Sequence, residues 1–176
     1  MSRNVRQYIG ILAAIVIYYI IHEGAHFLVA LKYGVFKQVN FMGLGMQVDV
    51  YHTQMKDYQM GIFCLAGAMA TFVCGWFLII ICRRICAAKS KVFRTVAWYT
   101  SLVMLLLDPI YLSVLSEFFG GGDMNGISLL WQEGIVRAFF VGVGLIHVLV
   151  IFRYLLPKYK ASFAESKRDE EATVVQ

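Results

Sequence analysis

Four stretches of about 20 or more mostly apolar residues, roughly 8–31, 60–82, 95–116 and 134–156, constrain this chain more than any other feature. At 1.5 Å of rise per residue, a helix of about 20 such residues crosses the hydrocarbon core of a bilayer. With no water there to bond to, the backbone must pair with itself, and single runs of this length do so as helices. Composition agrees: 60% of the 176 residues are hydrophobic and the mean hydropathy is +0.67, which excludes a soluble domain of this size. The expected fold class is an all-α membrane protein with about four transmembrane helices. The first run has no small-residue cleavage site and exceeds the core of a signal peptide, about 7 to 15 residues, so it is expected to stay as a helix.

Charge then gives an orientation. Arg3 and Arg6 precede the first run, "RRICAAKSKVFR" separates the second from the third, and Arg153, Lys158, Lys160, Lys167 and Arg168 end or follow the fourth. If the helices alternate, all of these fall on one side, opposite Lys32, Lys37, Lys56 and Arg137. By the positive-inside rule both termini are expected in the cytoplasm, in an integral, multi-pass protein of the cell membrane. The net charge of +5 is therefore read as topology and contact with the lipid bilayer. The basic stretches lack the aromatic platforms of a nucleic-acid reader, so no nucleic-acid partner is expected. The sequence specifies no oligomeric state. After Pro157, "KYKASFAESKRDEEATVVQ" is polar and mixed in charge, and residues 158–176 are expected to form a mobile cytoplasmic tail. Cys64, Cys74, Cys82 and Cys86 form no C-x-x-C pair and read as small apolar residues.

Within the first run, "YYIIHEGAHFLVALKYG" places His22, Glu23 and His26 where hydrocarbon disfavours an ionisable group by about 2.5 to 3.5 kcal/mol. Residues four apart on a helix project from one face one turn apart, so His22 and His26 can ligate one Zn2+ ion. Glu23 stands beside them without being needed as a ligand, the place of a general base toward water that the metal acidifies. A third ligand is required. Asp108, in "LLLDPIY", lies about 12 Å from the outer end of its helix, a depth comparable with about 14 and 8 Å for His22 and His26. Asp123, in "FFGGGDMNGI", follows three glycines that allow close backbone approach, and the same run also reads as a simple turn. His147 reads as a buried structural residue bonded to a hydroxyl of the third helix or to Asp108. His52 reads as an exposed loop residue, and Tyr8, Trp98 and Trp131 as interfacial anchors.

Between the first two runs, "KQVNFMGLGMQVDVY" alternates at Val39, Phe41, Val48 and Val50 and is interrupted by Gly43 and Gly45. A small β-hairpin after the first helix is expected. Its edge, at Val48 and Val50, is the candidate substrate-binding strand, because a helical substrate must be held extended before a peptide carbonyl can be attacked. The same residues also read as an amphipathic interfacial connector.

The helical HExxH, the glycine-containing "LAGAMATFVCG" and the later aspartate resemble the site-2 protease family of intramembrane zinc metalloproteases. The resemblance implies that His22 and His26 are metal ligands, that Glu23 is the base, and that Asp123, with Gly126 as the motif glycine, is the third ligand. Ala68 and Thr71 stand where that family usually has proline and asparagine, and "DMNG" separates the aspartate from its glycine. Asp108 remains the second candidate for the third ligand. On this reading residues 1–157 form a transmembrane zinc metalloprotease domain that cleaves membrane protein substrates. The motif would lie in the outer half of the bilayer, although many members of that family carry it nearer the cytosol. Alternatives are a non-proteolytic zinc-binding membrane protein and a zinc hydrolase acting on lipid amides or esters.

Overall fold

The computed structural model describes residues 1–42, 45–120 and 122–174. Helix α1 (Arg3–Tyr33) starts at Ser2, whose hydroxyl accepts from the Val5 amide, and stops at Gly34, which takes the left-handed conformation at φ 68°. Strands β1 (Phe36–Met42) and β2 (Gly45–Val50) pair antiparallel with Val39 opposite Val48. Gly43, read above as interrupting this hairpin, lies outside the described residues, as does Gly121 of the later glycine run. Helices α2 (Asp57–Ile80), α3 (Cys82–Cys86), α4 (Lys91–Ser113), α5 (Gly122–Ile127), α6 (Glu133–Val150) and α7 (Leu156–Val174) follow. Four helices are long and apolar enough to cross a membrane: α1, α2, α4 and a continuous Glu133–Ser166. The expected four helices and hairpin are present.

Helix α1 is inverted relative to a helix of a water-soluble protein. Its buried stripe carries Ala14, Tyr18, His22, Glu23, His26 and Ala30, while Leu12, Val16, Ile20 and Leu28 are exposed. Large apolar side chains outward and ionisable ones inward is the arrangement hydrocarbon demands. α1 packs mainly against α4 and α2, α4 also packs on α6, and α5 packs on α2. The hairpin is not a free flap: Val48 and Val50 are buried with Ala30, Val35 and Phe63 in one apolar cluster. An ion pair of 2.8 Å between Lys37 and Asp49 ties its two strands. The hydrogen bond from Lys37 holds the Asp49 carboxyl below its usual range.

Two expectations need correction. The segment after Pro157 is helical to Val174, because its alanines, glutamates, lysines and arginines are good helix formers as well as polar ones. Pro157 does not end the fourth span; a π turn over Ile151–Leu155 precedes it, with the Leu156 amide bonded to Ile151, so the missing proline N–H falls where the ladder has already shifted. Arg94 of α4 holds α7 in place through the Ser162 carbonyl (2.8 Å), the Ser162 hydroxyl (2.5 Å) and the Ser166 hydroxyl (2.5 Å).

His147 is the second. It is buried as expected, but its partners are neither a hydroxyl nor Asp108. Pro109 has no N–H for the Leu105 carbonyl one turn earlier, and His147 Nδ1 donates to that carbonyl at 2.6 Å. Its Nε2 accepts from the Trp76 indole at 3.2 Å. Trp98 is half-buried with its ring tilted at 55° against Tyr159, whereas Tyr8 and Trp131 are exposed. His52 is exposed, as expected.

Candidate metal centre

Each element delivers one part of a cluster around His22 and His26. The two imidazoles come from successive turns of α1, and Gly67 of α2 lies against them; a Cβ built on Gly67 would sit 2.6 Å from both Nε2 atoms. Gly126 of α5 faces Cys64 so closely that a Cβ there would sit 2.2 Å from its sulfur, which lets α5 press on α2 and carry Asp123 inward. Gly120, at φ 81°, turns the chain just before it. Asp123 is thus the second residue of a short helix, where a loop position was expected.

The hydrogen-bond partners fix the tautomers. His26 Nδ1 lies 2.7 Å from the Phe63 carbonyl oxygen, which can only accept, so the proton is on Nδ1 and the Nε2 lone pair is free. His22 Nδ1 lies 3.3 Å from Asp108 Oδ1 and 3.2 Å from the Tyr18 hydroxyl, which itself donates to Asp108 Oδ1 at 2.5 Å. That leaves the His22 Nε2 lone pair facing inward too. His22 Nε2 is 3.1 Å from His26 Nε2 and 3.2 Å from Asp123 Oδ2, and His26 Nε2 is 3.5 Å from the same oxygen. With both rings neutral, three acceptor atoms face one another across 3.1 to 3.5 Å, an arrangement that a cation, or a proton on one imidazole, relieves.

Those spacings suit one small ion. A tetrahedron with metal–ligand bonds of about 2.0 to 2.2 Å has edges of about 3.3 to 3.6 Å. The outer nitrogens are also held as zinc-bound imidazoles are, one by a backbone carbonyl and one by a carboxylate. The residues present fit Zn2+.

The two aspartates stand in different places. Asp123 lies on the Nε2 side of both histidines, and Asp108, 1% exposed, lies behind His22 on the Nδ1 side. Asp108 is further held by the Thr71 hydroxyl, the residue that replaces the asparagine of the resembled family. Tyr18, one turn before His22 on the same face, was not singled out from the sequence, nor was the Phe63 carbonyl. The spacing of Tyr18 could have pointed to it.

A carboxylate oxygen of Glu23 is within 4.8 Å of the donor atoms of both histidines. Its Oε2 accepts the Val48 amide of β2 at 2.8 Å. The Val48 N–H therefore points away from β1, and the outer edge of β2 runs past the cluster. The Val48 and Val50 side chains are in the core, so contact with a substrate there is open only to the strand backbone. No family model, curated protein or solved structure matches this chain.

Proposed function

We propose that this chain is an intramembrane zinc endopeptidase of the site-2 protease type, cleaving transmembrane or membrane-anchored proteins. The observation that carries the reading is the convergence of three potential ligand atoms, from His22, His26 and Asp123, at spacings of 3.1 to 3.5 Å beside a second Glu23 oxygen. His22, His26 and Asp123 would hold the ion. Zinc in such a site supplies a Lewis acid that polarises a peptide carbonyl and lowers the pKa of water. Asp108 and Tyr18 keep the His22 ring oriented, and the Phe63 carbonyl does the same for His26. Glu23, steadied by the Val48 amide, takes a proton from the attacking water and returns it to the leaving amine. The edge of β2 beside it holds the substrate extended through backbone hydrogen bonds. The excess of cations at the end where α1 and α4 begin supports a cytoplasmic position for that end, which would put the zinc site in the outer half of the bilayer.

The test is a comparison of wild type with Glu23→Gln in the producing cell, with membrane-protein fragments identified by their new termini. Fragments present only with wild type, from a variant that keeps its zinc and loses roughly 10²-fold or more in rate, are expected. Identical fragment sets from both would refute proteolysis at this site.

A further inference from the structure

At the opposite end of the bundle from the hairpin, α1, α4 and α7 enclose a second cavity of about 590 Å³. Arg3 and Arg6 from α1, Lys91 from α4 and Lys160 from α7 line it, and none of the described lining residues is acidic. Arg3 and Lys91 are the first residues of their helices, and neither helix has an acidic residue in its first turn. Cations there run against the helix dipole, whose positive end already favours an anion. Two helix N-termini and the side chains of Arg3, Arg6 and Lys160 thus build one region of positive potential, beside a Lys91 that is already engaged.

The walls are of another kind. Trp98, Tyr99, Tyr159 and Phe163 face the cavity, the aromatic composition of the zone between headgroups and acyl chains. Tyr159 is 2% exposed, with Ser101, which donates to the Ala97 carbonyl at 2.8 Å, beside its hydroxyl. The Arg94 and Arg6 guanidiniums lie over the Phe163 ring at 5.1 and 5.9 Å, which fixes that wall. The volume is within the range of small-ligand sites, about 300 to 1,000 Å³.

We propose that this cavity binds the phosphate headgroup of an anionic phospholipid, with the cations on the phosphate and the aromatic wall along the upper acyl chains. The site lies where two spans begin and the fourth ends, at headgroup level, and is separate from the His22 cluster. Its occupant would lock α7 against α1 and α4.

Purified protein is placed in nanodiscs of phosphatidylcholine containing a small fraction of labelled phosphatidylglycerol, and retained label is measured after exchange into detergent. Wild type is expected to retain phosphatidylglycerol in preference to labelled phosphatidylcholine. Arg3→Gln/Arg6→Gln/Lys160→Gln should weaken retention roughly ten- to hundred-fold, with Lys160→Gln alone in between. Lys32→Gln/Lys37→Gln/Lys56→Gln, which removes the same charge at the other end, should retain the lipid as wild type does. Equal retention by the two triple variants would overturn the site. Equal retention of the two lipids would overturn the requirement for an anionic one. Displacement by millimolar glycerol 3-phosphate would show a site for a soluble phosphate and overturn the lipid assignment. Melting without added lipid reports whether each variant is folded.

Discussion

Asp108 and Asp123 show how one residue type takes two roles from its surroundings. Asp108 receives Tyr18, Thr71 and the Nδ1 side of His22, which engage both of its oxygens inside the bundle. Asp123 presents one oxygen to two Nε2 lone pairs. Helical depth alone favoured Asp108 over Asp123, because helical rise measures height and carries no information about which face of an imidazole a carboxylate meets. Gly67 is as decisive as a ligand. Gly67→Ala should favour α2 as a helix by about 1 kcal/mol, yet it puts a methyl 2.6 Å from both Nε2 atoms. The clash should offset that gain by about 1 to 3 kcal/mol, and a folded variant that binds zinc at least about ten-fold more weakly is expected; unchanged zinc affinity by competition with a chelator would contradict the packing described. His147 belongs to the fold alone. His147→Leu strips the Leu105 carbonyl and the Trp76 indole of partners and should lower stability by about 0.6 to 3 kcal/mol, with zinc content unchanged. Loss of zinc in that variant would tie it to the site instead.

Among the elements, the helices were legible because long apolar runs have few alternatives in hydrocarbon, and the hairpin because alternation and glycines coincide at Val39 to Val50. Their ends were less so. α1 begins at Arg3 rather than near residue 8, and the fourth span continues past Pro157, since basic residues and polar helix formers extend a helix beyond the hydrocarbon without adding hydropathy. The link between β2 and α1 had no sequence signal at all, being a backbone amide meeting a side chain 25 residues away. It gives Val48→Pro a clear meaning: the Glu23 carboxylate loses the donor that steadies it. Turnover should fall roughly 10- to 100-fold with zinc retained. Cleavage at the wild-type rate by a folded Val48→Pro protein would mean that the hairpin does not position the base.

For the molecule as a whole, α1, α2, α4 and α5 bring Tyr18, His22, Glu23, His26, Thr71, Asp108 and Asp123 together at one level, apart from the buried polar groups around His147 and around Arg94. Ionisable groups brought together so closely need a partner of opposite charge, and the three facing atoms of His22, His26 and Asp123 are the basis for proposing a cation there. The central claim is that a single zinc ion sits on His22, His26 and Asp123, with Asp108 acting through His22. Zinc per folded chain, measured on purified wild type, Asp123→Asn and Asp108→Asn in one detergent, tests it most directly. The account predicts about one zinc in wild type, a largely empty site in Asp123→Asn, and in Asp108→Asn a site that still fills but with affinity lowered about 10- to 100-fold. A wild-type protein that takes up no zinc, or an Asp108→Asn site that is empty while Asp123→Asn remains full, would contradict it.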